Sequence, residues 1–298
     1  MKKLVVMSGK GGVGKSSITA SLAISMRHPL VCADADVDAS NLDLVLGDGE
    51  VISAHDVLAS HVAHIDTQKC SRCKACLDTC YFNAIEWDEG PIIDETACEG
   101  CGACTIMCPA LTLQPVKNAT LTEREICGIP VVSAQLEVGG SGSGKIVSEV
   151  LGDAAKHSDK ELMLVDAAAG VGCPVIAAAR GADVALLVAE PTITSFNDLK
   201  RAYSLLSHFS VRSLLVINKA DLDEDMATTI RSWAEGEGIE VVQSFPYDDA
   251  WADALVDRTP ICQNPDFTDA FNQLASKLES ILFEEQMSPV SHADSKTL

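Results

Sequence analysis

The chain has 298 residues, enough for one large domain or two modest ones, and it is 47% hydrophobic with only 4% aromatics, so its core must be aliphatic. Its 22 basic against 43 acidic side chains leave a net charge of −21, a surface that phosphate backbones and anionic lipid repel, which removes general nucleic-acid binding and electrostatic membrane docking as first readings. The apolar run before Gly9 is too short for a signal peptide and no window approaches about eighteen uninterrupted apolar residues, so a cytoplasmic protein is expected.

The run KKLVVMS reads as a first strand, and Gly9-Lys10-Gly11-Gly12-Val13-Gly14-Lys15-Ser16 follows it directly and opens a helical stretch over 15–27. That satisfies G-x-x-x-x-G-K-[ST] in the strand-to-helix context a phosphate loop needs. Glycines let backbone N–H groups wrap phosphates, Lys15 neutralises the β and γ oxygens, and the Ser16 hydroxyl can ligand Mg²⁺. The expected nucleotide cradle is therefore Gly11, Gly12, Val13, Gly14, Lys15, Ser16 and Ser17. A glycine-rich turn without a ligand is the bland alternative, and it leaves the placement of Lys15 and Ser16 unexplained. Next, LVCADAD delivers Asp34, Asp36 and Asp38 at the C-terminal end of a second strand, the edge at which ligands collect in open α/β sheets. Three acids at alternate positions can also be a solvated loop.

Eight of the twelve cysteines lie between Cys70 and Cys108, while Cys32, Cys127, Cys173 and Cys262 are scattered. In a reducing compartment such a cluster means ligands rather than disulfides. Cys70-x2-Cys73-x2-Cys76-x3-Cys80 recurs as Cys98-x2-Cys101-x2-Cys104-x3-Cys108-Pro109. The spacing is that of bacterial ferredoxins, in which three cysteines of a run hold one [4Fe–4S] cluster and the fourth ligates the other. Cys70, Cys73, Cys76 and Cys108 would form one set and Cys98, Cys101, Cys104 and Cys80 the second. Four-cysteine zinc sites compete, but they usually show two separated C-x2-C pairs. Tyr81 replaces the proline usual after the fourth cysteine. The compositional break marks an insertion over 61–115 within a host formed by 1–60 and 116–283.

Farther on, ELMLVD ends in Asp166, and Asp166-Ala167-Ala168-Ala169-Gly170 reads as a Walker B aspartate, holding Mg²⁺ through water, followed by a switch in which the Gly170 N–H meets the γ-phosphate. DVALLVAE, RSLLVINK and IEVVQSF add strands separated by helical stretches, the alternation that builds a parallel sheet. Asn218-Lys219-Ala220-Asp221 fits the N-K-x-D base-recognition pattern of GTPases, so these residues alone leave ATP and GTP open, and Asp221 can equally begin a loop. The tail 284–298 has no periodic apolar face and is expected to be disordered.

KGGVGKS resembles the variant P-loop of the MinD, ParA and nitrogenase iron protein superfamily. With the cysteine runs, the Ser141-Gly142-Ser143-Gly144-Lys145 loop, DAAAGVGCPV and AEPTITSFNDLKR, the chain to about residue 260 resembles MinD superfamily P-loop ATPases that contain an inserted ferredoxin domain, related to Mrp-type ATPases. The resemblance implies an α/β P-loop NTPase with a mainly parallel sheet flanked by helices and a small inserted α+β bacterial-ferredoxin-like domain. It implies that Lys10 crosses a dimer interface to the partner's nucleotide, where a solvated loop lysine is the plain alternative. It further implies that Asp36 orients the attacking water with Asp38 as a Mg²⁺-linked neighbour, that the Asn218 amide lies on adenine, and that Lys10, Lys15, Asp36 and Asp166 carry slow ATP hydrolysis. Cys173 recurs in that subfamily, as a sensing or bridging thiol or a buried structural one. ATP, Mg²⁺ and two [4Fe–4S] clusters are the implied cofactors. A homodimer, or a heterodimer with a paralogue, and an unidentified protein partner or electron acceptor are the implied associations, without direct nucleic-acid or membrane contact. The expected function is an ATP-driven, redox-linked switch, with an ATP-gated reductase and an iron–sulfur carrier as alternatives.

Overall fold

A computed structural model describes residues 1–138 and 143–283; the Ser141–Gly142 part of the loop before Lys145 and the tail expected to be disordered lie outside them. Seven segments form the parallel part of one large sheet: β1 (Lys2–Ser8), β2 (Leu30–Ala35), β9 (Ile129–Leu136), β10 (Leu162–Ala169), β11 (Val184–Ala189), β12 (Arg212–Ile217) and β13 (Glu240–Ser244). Two more, β3 (Glu50–Val57) and β8 (Ala119–Ile126), extend it in antiparallel fashion, giving the order β13-β12-β11-β1-β10-β2-β9-β8-β3.

The central strands are apolar at successive positions because both faces are covered. Along β1, Leu4 and Val6 point into one core with α1 (Lys15–Ser25), α2 (Leu42–Leu46) and α10 (Pro265–Phe283). Val5 and Met7 point into the other, under α5 (Gly144–Ala154), α6 (Cys173–Ala179), α7 (Ile193–His208) and α8 (Glu224–Gly236). The pleat alone produces this division, since neighbouring side chains leave opposite faces.

The reading of strands from apolar runs omits β3, β8 and β9. For β8 its polar positions explain it: ATLTEREI buries Ala119, Leu121 and Ile126 and leaves the residues between them partly or fully exposed. β8 and β9 are joined by the two-residue turn Cys127-Gly128, with φ of 53° and 76°. Positive φ at both positions is the twist-matched hairpin geometry, here with Cys where Asn or Asp is commoner.

Between β3 and β8 the chain leaves the main sheet. This excursion holds β4 (Ser60–Ile65) paired with β7 (Leu111–Val116), β5 (Ile85–Trp87) paired with β6 (Pro91–Ile93), and the short helices α3 (Ala75–Thr79) and α4 (Ala103–Met107). It has its own small core of Ala63, Cys76, Ile85, Cys104 and Leu111. At its neck the buried Asn118 side chain accepts the Ala59 N–H at 2.8 Å, and Lys145, at the start of α5, donates to the carbonyls of Leu58 and Ala59 at 3.3 and 3.4 Å.

Candidate functional site

The loop between β1 and α1 crosses the C-terminal edge of the sheet where β1 lies between β10 and β11. Gly12 and Gly14 adopt φ of +79° and +92°, which a side chain would oppose. Gly14 is the left-handed N-cap of α1 and makes no side-chain cap, so the first N–H groups of that helix face the loop's interior. Val13, 1% exposed, anchors the loop in the core.

Four sequence-predicted residues meet beneath it. Lys15 Nζ lies 2.6 Å from Asp166 Oδ1, and Ser16 Oγ donates to Asp166 Oδ2 at 2.6 Å. Asp36 Oδ2 stands 3.9 Å from the same ammonium. Thr19, which sequence reading passed over, adds a hydroxyl to Asp166 Oδ1 at 3.0 Å. A lysine and a hydroxyl aimed at one carboxylate are the donor and acceptor set that a Mg²⁺–triphosphate group engages.

Asp34 and Asp166 face each other across the β2–β10 register, and Asp34 is fully buried. A solvated acidic loop therefore does not describe Asp34. It accepts the N–H groups of Asp36, Asn41 and Leu42 and the Ser40 hydroxyl at 2.8–3.1 Å, which fixes the turn that carries Asp36. Burial, with the Asp166 carboxylate second, pushes Asp34 up to about 7, against the Leu42 N–H, the Ser40 hydroxyl and Lys15. Burial also raises Asp36, although Lys15 pulls it back. Asp38 is exposed.

Lys10 is not directed at this carboxylate group. Its ammonium lies 2.7 Å from Glu190 Oε1, while Lys219 holds Glu190 Oε2 at 3.0 Å and the Gly12 carbonyl at 3.2 Å. Gly170 donates its N–H to Ser8 O at 2.9 Å, so the amide expected to meet a γ-phosphate is committed to β1 in this conformation. Asn218 is 2% exposed; its amide donates to Val13 O at 2.9 Å and its Oδ1 accepts the Lys219 N–H. Asn218 thus supports the loop as well as lining the space beside it. Asp221 accepts the Tyr247 N–H at 2.6 Å.

That space is an open cleft of about 220 Å³ bounded by Gly12, Gly14, Ser17, Pro246, Tyr247 and Trp251, among others. Its apolar wall comes from the segment after β13 and from α9 (Ala250–Val256), more than two hundred residues beyond the P-loop, and sequence reading assigned it no role.

In the excursion the thiols fall into two sets. Burial pushes Cys76 up, and Cys108 and Cys70 are the charged neighbours that add to it; burial likewise raises Cys104, with Cys98, Cys101 and Cys80 around it. Backbone N–H groups of Ala63 and Ala84 point at the sulfurs of Cys98 and Cys80 at 3.4 Å. A small cavity of about 20 Å³ is lined by Cys80, Cys98, Cys101 and Cys104 with Gly100 and Gly102, and a Cβ at Gly100 would run into the His61 carbonyl. Among the described residues no group of three or more His, Cys, Asp or Glu side chains is arranged to hold a metal ion. Cys173 is exposed at the start of α6. Among the described residues no helix is long and apolar enough to cross a membrane.

Residues 4–261 match the family described as the CobQ/CobB/MinD/ParA nucleotide binding domain. The chain belongs to this family. An uncharacterized protein of Methanocaldococcus jannaschii is 34% identical over 285 residues, covering 94% of this chain and 97% of that one. Among solved structures, the septum site-determining protein MinD of Pyrococcus horikoshii, complexed with Mg-ADP, superposes with a TM-score of 0.59 at 16% identity over 96% of this chain and 99% of its own. The MinC:MinD cell division complex of Aquifex aeolicus gives 0.57 at 17% identity, over 98% and 99%. At such identities these structures speak to the fold: an α/β P-loop NTPase with a large, mainly parallel sheet flanked by helices.

Proposed function

We propose that the chain is an ATP-dependent dimerising ATPase whose nucleotide cycle is coupled to two [4Fe–4S] clusters in the excursion over 61–115. The observation that carries the ATPase half is the meeting of Lys15, Ser16, Asp166 and Asp36 at the sheet edge beneath a glycine loop. In this reading Lys15 and the loop N–H groups bind the phosphates, Ser16 and Asp166 hold Mg²⁺, Asp36 orients the attacking water, and Lys10 of each subunit neutralises the phosphates of the other. Two facing triphosphates repel each other unless such cations stand between them.

For the clusters, the reading rests on the spacing of the two cysteine runs and on the backbone N–H groups that reach the sulfurs of Cys98 and Cys80. Cys70, Cys73, Cys76 and Cys108 would hold one and Cys98, Cys101, Cys104 and Cys80 the other, each supplying one-electron exchange when bound. Complete four-cysteine sets favour retained redox centres over cargo passed to other proteins. The neck residues Asn118 and Lys145 tie the excursion to β8 and α5, a physical connection between the two halves of the reading.

The test is anaerobic reconstitution, an iron count of about eight per chain, and sedimentation with Mg-ATP with the clusters oxidised and reduced. ATP-dependent dimers whose ATP affinity differs between the two redox states support the proposal. Dimerisation and turnover indifferent to iron content and redox state would reduce it to an ATPase with a passive excursion.

A further inference from the structure

Glu190 stands directly after β11, next to β1, so the end of its strand brings it beside the P-loop. Its main chain is fixed at the start of α7: its N–H donates to Ser195 Oγ at 3.1 Å and its carbonyl accepts the Thr192 N–H at 2.8 Å. The side chain is only 11% exposed and bonds two cations, one through each oxygen, Lys10 at 2.7 Å and Lys219 at 3.0 Å. Lys10 itself is 39% exposed against 28% for Lys219, so it is the more accessible of the two cations. Burial alone would raise the Glu190 carboxyl; hydrogen bonds from Lys10 and Lys219 outweigh it and hold the group below the usual glutamate range.

We infer that Glu190 is a positioning residue that latches Lys10 within its own subunit and thereby sets how much ATP is needed to close the dimer. The inference rests on the proposed role of Lys10 across the dimer interface. An ammonium bound to its own Glu190 cannot at the same time neutralise the partner's phosphates, so dimerisation must break this ion pair. Lys219 makes the break possible. When Lys10 leaves, the buried carboxylate keeps one cation and is not left uncompensated, the situation that makes breaking a buried pair so costly. Each dimer opens two latches, so the effect of one enters the dimer equilibrium squared. If one partly exposed pair is worth about fivefold, the dimer dissociation constant shifts by about 25-fold.

Substitutions at Glu190 and at Lys219 therefore have opposite signs. Glu190→Gln frees Lys10 and should tighten the dimer. Lys219→Met leaves Glu190 dependent on Lys10, tightens the latch, and should weaken the dimer. In the double variant the carboxylate is gone, so the loss of Lys219 should have no further effect and the protein should behave as Glu190→Gln. A merely structural role for either residue would weaken dimerisation in both single variants.

The experiment is sedimentation of the full chain across a titration of a non-hydrolysable ATP analogue with Mg²⁺, for the wild type, the three variants above, Lys10→Ala, and Glu190→Asp as a variant that keeps the charge but shortens its reach. Expected are dimers at roughly 25-fold lower protein concentration for Glu190→Gln, a smaller shift in the same direction for Glu190→Asp, and an opposite shift for Lys219→Met. Unchanged or weaker dimers in Glu190→Gln, or in Glu190→Asp should the former not fold, overturn the latch while leaving the role of Lys10 standing. A wild type that shows no nucleotide-dependent dimer, or one that Lys10→Ala matches, overturns the reading of Lys10 and the latch with it.

Discussion

Replacing Lys15 should cost the protein fold stability as well as nucleotide, and the structure gives the size of that cost. The ammonium is 7% exposed and is the cation within 4.0 Å of Asp166, itself 1% exposed, and of Asp36. Asp34 lies behind Asp166 on the next strand. Lys15→Met leaves this acid group with hydroxyl and amide donors alone. Breaking a buried pair by removing one partner typically costs about 3–5 kcal/mol, because the remaining charge is buried without compensation. At about 2–4 °C per kcal/mol for a large domain, Tm should fall on the order of 10 °C. Asp166→Asn alone takes from the lysine its nearer carboxylate, leaving Asp36 at 3.9 Å, and should also destabilise the fold. The double variant, neutral at both positions, should cost less than the two singles together by at least about 2 kcal/mol. Lys15 holds down the carboxyls of Asp34 and Asp36, so the loss in Lys15→Met should grow from pH 5 to pH 9, as acids that prefer their protons are made to ionise. Urea unfolding of the four proteins in nucleotide-free buffer across that range is the measurement. A Lys15→Met cost below about 1 kcal/mol, or additive singles, would refute the claim that one buried cation compensates this group.

Gly9→Ala should weaken Mg-ATP binding at least about tenfold by calorimetry, because a Cβ there would overlap the Asp198 main chain and force the loop off α7. Asp34 carries a pKa raised from 3.8 to about 7, so its folded form binds the proton more tightly than the unfolded chain does. Its contribution is most favourable below about pH 4 and is lost as pH rises through 7; relative to Asp34→Asn, wild-type stability should therefore decline across that window, and a flat difference in Tm would contradict the assignment. Cys108→Ser should lower the anaerobic iron content from about eight to about four and remove the cluster signal associated with Cys70, Cys73 and Cys76; loss of both signals, or of neither, would count against the crossed thiol sets.

What the sequence determines here is what depends on neighbours along the chain. A phosphate loop is a matter of consecutive residues, glycines where φ turns positive and lysine and serine at the first helical positions, so the composition of 9–16 dictates its shape. Continuous apolar runs likewise announced the central parallel strands, because burial on both faces leaves little room for polar alternation. β8 escaped because one-sided burial mixes Thr, Glu and Arg into the strand, β3 because all but its last residue is exposed, and the Cys127-Gly128 turn puts a cysteine where Asn or Asp is commoner before the glycine. The tertiary structure alone decided which distant groups meet. Asp34 and Asp166 become neighbours through strand register, the Trp251 wall reaches Gly14 only after the chain has wound through the whole sheet, and Glu190 comes to hold Lys10 because β11 happens to lie beside β1. A carboxylate at the end of an apolar run looks the same in sequence whether it faces water or a lysine. Only the packing of non-adjacent strands fixes its burial and its partner, and with them its charge and its role.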